Sequence, residues 1–405
     1  MAWVPWLLVF ADRVAGWFVA VVLVLAGGTF LYWSVAAPAH AGPSTALGVV
    51  EGYLADARDG DWRSAARWWL PEDVARAERL GITYFDIPFK LDAASGLMLP
   101  GVVLAGEPVI GPPVGDEEAG PVRFRVSFPT EPPVATDYVA VRHGTGWRLA
   151  SPVTALTRDW EVREHDYVRY RLQPGRLLYR KATAELDLFV SETCTRLGLS
   201  QERMERLARE KIDYVLCDDS VVEAIAGAPT KGVSMLATDT VVTSIPAHTH
   251  ELSHILLGYA TGNLGLYVLP SLQEGAAVAL GGRWGRSPGV MDELGGYVLR
   301  EDFAAIDDFL SWTGFRNQLP DMVYAPAGIM AGYLLGALGP EEFINLYRDY
   351  SGWPGDLAVV TAGAIRQDFE RRLGLEPGGL APAVKTYAET LPRGGIEPGP
   401  GRVGG

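Results

Sequence analysis

His250-Glu251-Leu252-Ser253-His254 constrains this chain more than any other stretch. Two histidines four residues apart fall on one face of a helix, one turn from each other. Their imidazoles can therefore reach one metal ion at about 2.0–2.1 Å, the distance at which zinc binds histidine nitrogen. Glu251 follows the first histidine, so its carboxylate can approach a water on that ion from the side, where zinc hydrolysis needs a general base. The chain has six histidines, and three of them lie between 248 and 254.

The flanking sequence supports a helix entered from a strand. Val233–Ser244 (VSMLATDTVVTS) is rich in β-branched residues and free of proline, and reads as one strand. Ile245-Pro246-Ala247 breaks it, Ile255-Leu256-Leu257 continues the following helix, and Gly258 is the expected stop. Pro270-Ser271-Leu272-Gln273-Glu274-Gly275-Ala276-Ala277 reads as a second helix with proline in its first turn. The small residues after Glu274 let that helix pack closely and carry a carboxylate into a shared cavity. His250, His254 and Glu274 then make three protein ligands with a fourth position left for water, the layout of a catalytic rather than a structural zinc site.

HELSH followed by LQEGAA resembles the gluzincin zinc metallopeptidases, including the small bacterial peptidase MA-like domains and, more distantly, the thermolysin and aminopeptidase N groups. In that pattern the third ligand is the Glu of an E-G-small-A run about twenty residues after the second His. Here 19 residues separate His254 from Glu274. The resemblance covers Arg163 to Glu389 and implies one Zn²⁺ per chain, Glu251 as general base, and a peptide or protein substrate. It also draws attention to Tyr324-Ala325-Pro326-Ala327-Gly328 and the Gly332–Phe343 stretch that follows. A tyrosine at the head of such a helix can donate to a developing oxyanion. Tyr324 is the candidate for that role and Tyr333 the alternative; either also reads as an ordinary buried aromatic. Thermolysin-like enzymes carry an Asp one turn after the Glu ligand, and here that position is Val278. The groups that orient the ligands must therefore come from elsewhere. The rival to an active hydrolase is a catalytically inactive zincin-like binding or scaffold protein of the cell envelope. An intact Glu251 argues against it.

His248 lies two residues before His250 and points to a different face, as a helix-entry residue or a substrate contact rather than a fourth ligand. Cys194, on a helix around 182–197, and Cys217, at the end of strand Ile212–Leu216, are either a disulfide or two buried free thiols.

Composition narrows the partners. A net charge of −14, from 35 basic and 49 acidic side chains, excludes a nucleic-acid backbone as the expected partner. Ala15–Ala37 is a 23-residue apolar run with Trp17, Tyr32 and Trp33 near its ends. A membrane-spanning helix needs about 20 such residues, whereas the apolar region of a signal peptide is about 7–15. The expectation is an uncleaved, single-pass anchor with the catalytic part extracytoplasmic. The alternative is secretion after cleavage near Ala39 or Ala41.

The expected fold class is α+β throughout, in four parts. Residues 1–43 are the cytoplasmic stub and transmembrane signal anchor, and 392–405 a Gly/Pro-rich tail. Residues 44–153 form a small α+β domain. Leu47, Val50, Leu54 and Ala57 mark a helix closed by Asp59-Gly60, and a second helix carries Trp62, Trp68 and Trp69 and ends near Pro71. Antiparallel strands follow at 122–128, 137–141 and 147–149, the last two joined by a hairpin turn at 143–146. This order is similar to the cone-shaped nuclear transport factor two-like fold, with a spacer or docking role. Residues 160–391, after a connector at 151–159, form the mostly helical zincin-type domain with a small β-sheet, bulked by Phe309, Trp312 and Phe315.

Overall fold

The computed structural model describes residues 44–77, 106–118, 120–129, 134–227, 229–262, 269–351 and 361–391. The expected membrane anchor at Ala15–Ala37 and the tail from 392 lie outside these residues. The chain is α+β, with two sheets and a larger helical part.

The first unit opens with α1 (Ala46–Arg58), capped by the Thr45 hydroxyl. Asp59 and Gly60 (φ +73°) end it as expected. Helix α2 (Trp62–Ala66) is one short turn, and Pro71 starts a helix, α3 (Pro71–Ala77), rather than closing one. Proline is tolerated at a first helical position because its missing N–H has no partner there. Strands β1 (Val109–Ile110), β2 (Val122–Phe128), β3 (Val134–His143) and β4 (Gly146–Ala150) form an antiparallel sheet in that order. The β3–β4 turn is Gly144-Thr145. The alternation read from sequence in β2 is complete: Val122, Phe124, Val126 and Phe128 are buried against α1, and the residues between are exposed.

The expected connector contains a helix, α4 (Pro152–Thr157), capped by Ser151. The second sheet runs β5 (Glu161–Glu164), β6 (Val168–Leu172), β7 (Ile212–Leu216), β9 (Thr240–Thr243), β8 (Gly232–Met235). Between β6 and β7 lie α5 (Arg180–Arg196) and α6 (Gln201–Glu210), and α7 (Asp219–Ala226) follows β7. The run 233–244 is not one strand. It is β8 (Gly232–Met235) and β9 (Thr240–Thr243), paired antiparallel and joined by a 3₁₀ turn at Leu236–Thr238. Asp239, at φ +48°, reverses the chain. Aspartate tolerates that left-handed conformation better than most residues, and β-branched content gives no sign of it. As a result β8 is an outer strand, at the opposite edge from β5, while β9 lies inside the sheet.

Helix α8 (Thr249–Thr261) packs across one face of this sheet with α5. It passes through Gly258 and stops at Gly262 (φ +70°). A buried glycine is tolerated within a helix at about 1 kcal/mol, and it is the left-handed position that ends this one. Helices α9 (Pro270–Gly281), α10 (Pro288–Arg300), α11 (Ile306–Phe309), α12 (Trp312–Asn317), α13 (Pro320–Asp349), α14 (Ala362–Leu373) and α15 (Leu380–Thr390) complete the chain. Phe309 and Phe315 are buried in this helical core as expected, but Trp312 is exposed. Helix α13 bends at Gly339 (φ +77°), ahead of Pro340. Among the described residues it alone is long and apolar enough to cross a membrane. Most of its apolar stretch is buried among α9, α10 and α15, where it is the central core helix.

Cys194 and Cys217 are unpaired. They sit in separate apolar clusters, and burial pushes both thiols up to about 12. The two units meet through buried charge. Arg76 on α3 reaches Asp213 on β7 at 3.0 Å, and Asp213 also takes Arg169 at 3.4 Å.

Candidate metal centre

The start of α8 is held by the sheet beneath it. His248 is its N-cap residue, and its backbone N–H donates to the Tyr214 hydroxyl at 2.8 Å. That hydroxyl in turn donates to the Ile245 carbonyl at 2.6 Å. The His248 ring is buried, with Nδ1 2.8 Å from the Thr243 hydroxyl. Burial lowers its pKa to about 4. It is a helix-entry residue that also lines the cleft, and its ring lies 6.4 Å from that of His250.

His250 and His254 project from the same face of α8, their rings edge to face at 5.0 Å. Helix α9 brings Glu274 against both. Its Oε2 lies 3.1 Å from His250 Nε2 and 3.8 Å from His254 Nε2. Two ligands on one tetrahedral ion, each about 2.0–2.1 Å away, stand about 3.3 Å apart. The two separations straddle that value, so these three side chains can hold one metal ion. Close packing sets the geometry. A Cβ on Gly281 would lie 2.7 Å from the His250 backbone nitrogen, and one on Gly275 2.4 Å from the Ala327 carbonyl of α13. The small residues after Glu274 therefore do what the sequence suggested: they let α9 sit against both α8 and α13.

His250 Nδ1 meets the Gly282 carbonyl at 2.7 Å, which leaves Nε2 as the nitrogen facing Glu274. A backbone carbonyl thus supplies the orienting contact for which Val278 has no polar atom. Burial raises the Glu274 carboxyl, but hydrogen bonds from His250 and His254 outweigh it and hold the group well below its usual range. For His254, burial pulls downward and the Glu274 hydrogen bond wins, leaving its pKa raised.

Glu251 lies on the cleft side. It accepts a 2.6 Å hydrogen bond from the Ser234 hydroxyl on β8. Burial raises its pKa, but the neighbouring histidines and Ser234 together bring it below the ordinary value. The cleft has a volume of about 580 Å³ and is lined by Gly232, Ile245, His248, Glu251, Arg283 and Trp284, among others. The segment 229–231 and the first residue of β8, Gly232, form one wall.

Arg283 was not found from sequence. It follows α9 in a turn closed by hydrogen bonds in both directions with Arg286, with Gly282 and Gly285 at positive φ. Its guanidinium donates to Glu274 Oε2 at 2.9 Å and stands 3.3 Å from His250 Nε2. The same group lies 3.2 Å from the Tyr324 ring centroid and 4.5 Å from that of Trp284. Gly-Gly-Arg-Trp-Gly-Arg announces a turn, but nothing in it says where the turn lands. Ser234, Tyr214 and Thr243 were missed for the same reason.

Tyr324 stands beside the centre through its ring, which is packed against Arg283, Trp284 and Phe315. Tyr333 packs against Tyr387 at 5.6 Å with the rings tilted, half-buried against the helical core, and makes none of these contacts. The chain matches no family model, no curated protein and no solved structure.

Proposed function

We propose that this chain is a zinc-dependent peptide hydrolase, anchored in a membrane by residues 15–37 and working outside the cytoplasm. The observation that carries the reading is the meeting of His250, His254 and Glu274 at one point, with Glu251 beside them and facing an open cleft. A structural metal site is normally closed by four protein ligands and has no use for a carboxylate on its open side. The resemblance to gluzincins rests on the same residues.

Zinc bound there would polarise a carbonyl and lower the pKa of a bound water to about 7. His250 presents Nε2 because the Gly282 carbonyl holds Nδ1. Glu274 supplies the anionic ligand, already ionised at neutral pH. Glu251, also held ionised, would take the proton of the attacking water on its free oxygen and return it to the leaving amine. Ser234 keeps the other oxygen fixed. Strand β8 ends the sheet beside Glu251, so an extended peptide can lie along it by strand addition.

The test is zinc content and peptide cleavage of the full-length protein in detergent. About one zinc per chain is expected, and His250→Ala should lose it. Glu251→Gln should retain the zinc and lose cleavage of a mixed peptide library by at least about a hundredfold, the lower range of general-base contributions. Retained turnover in Glu251→Gln would remove Glu251 as the base. A zinc-loaded wild type that cleaves nothing would leave the scaffold reading.

A further inference from the structure

We infer that Arg283 is the oxyanion-binding residue of this centre, and that Tyr324 and Trp284 are the platform that holds it in place. The inference rests on the hydrolase reading above. Peptide hydrolysis puts negative charge on the scissile carbonyl oxygen as the water oxygen adds to its carbon. Such a charge needs a fixed donor about 2.7–3.1 Å away, already oriented before the reaction begins.

Arg283 meets those requirements by position. Its NH1 lies within 3.3 Å of both Glu274 Oε2 and His250 Nε2, so it borders the point where the ligands converge. It also lines the cleft, on the same open side as Glu251. The guanidinium has five N–H donors. Only NH1 is committed to Glu274, and the buried Nε has no hydrogen-bond partner. A cation this close to the ligands raises the cost of bringing in a metal. The structure nonetheless holds it there half-buried, with a side-chain exposure of 17%.

Its fixation is equally specific. The guanidinium lies on the Tyr324 ring face, with Trp284 on another side. Planar arginine stacks on aromatic faces in a way that the compact lysine ammonium does not reproduce. Trp284 itself takes φ +52°, a conformation uncommon for a bulky residue and held here by the turn between Gly282 and Gly285. The ring of the tyrosine expected from sequence thus positions the arginine.

The experiment uses full-length protein in detergent, loaded with zinc, and methylphosphonate as a tetrahedral oxyanion. Wild type, Arg283→Met, Arg283→Lys and Tyr324→Leu are compared for zinc content and for methylphosphonate affinity by calorimetry. Arg283→Met is expected to keep its zinc and lose at least about tenfold in anion affinity, in line with a lost charge-assisted hydrogen bond. Arg283→Lys should fall in between, and Tyr324→Leu, which removes the ring face beneath the guanidinium, should lose about threefold or more; unchanged affinity there overturns the platform role. Unchanged anion affinity in zinc-loaded Arg283→Met overturns the inference. So does loss of zinc from that variant, which would make Arg283 a prop for Glu274. Absence of zinc from the wild type is a different result: it refutes the hydrolase reading itself.

Discussion

At the scale of single residues, Asp292 on α10 is a carboxyl, outside the candidate centre, that the fold shifts. Burial raises its carboxyl from 3.8 to about 6, against a smaller opposing pull from Arg196. The folded chain therefore binds a proton near pH 6 that the unfolded chain binds only near 3.8. Stability contributed by the protonated form is present at pH 4 and is lost as pH rises through 6. Asp292→Asn should raise the unfolding free energy at pH 7.5 by on the order of 1 kcal/mol, a figure reduced for partial exposure. It should change little at pH 4. Urea titrations of both proteins at the two pH values check this, and equal shifts at both would refute it. The residues of the centre divide in the same physical way between readable and unreadable. His250, Glu251 and His254 are legible because one helical turn fixes their mutual geometry. Ser234, Arg283 and the Gly282 carbonyl are not, because they come from other elements.

At the scale of elements, the decisive contacts are between helices that approach without side chains between them. Gly275 faces the Ala327 carbonyl, and Gly281 faces the Thr249–His250 backbone. Gly275→Val would have to drive α9 and α13 apart, so overpacking should destabilise the protein by about 1–3 kcal/mol. Because α9 carries Glu274, zinc affinity should fall with it. Thermal unfolding of metal-free protein and chelator competition on loaded protein separate the two effects. An unchanged zinc affinity would show that Glu274 does not depend on this packing. Sequence patterning located α8 and α9 because both carry strong start signals, Pro246-Ala247 before one and Pro270 within the other. It misread 233–244 because strand propensity reports a preference for extended backbone and is silent on a single reversal. Asp239 turns one apparent strand into a hairpin and so decides which half forms the sheet edge.

At the scale of the whole molecule, the first unit is joined to the second through charges that water does not reach. Asp73 accepts from the Ser151 backbone N–H at 2.8 Å and from the Thr154 hydroxyl at 2.5 Å, and Arg76 carries the link to Asp213. Asp213 is next to Tyr214, whose hydroxyl receives the His248 N–H at the head of α8. Removing one partner of a buried pair leaves the other charge uncompensated, at about 3–5 kcal/mol. Arg76→Met should lower the unfolding free energy by that order, less whatever Arg169 offsets at Asp213. Denaturant unfolding followed by tryptophan fluorescence measures it, since Trp69 and Trp147 report on the first unit. A loss under 1 kcal/mol would mean that the interface holds without this pair.

The sequence by itself determined the α+β class, the helices that bear His250, His254 and Glu274, and the alternation that builds β2. Each of these follows from a period or spacing within one element, and backbone geometry converts such a spacing directly into a shared face. Only the tertiary structure decided that Gly282 orients His250, and that Arg283 lines the cleft with its guanidinium on the Tyr324 ring. It also put Cys194 and Cys217 in separate cores and Arg76 against Asp213. Those pairings join residues on different elements, and the packing that brings them together leaves no repeat in the chain from which to read it.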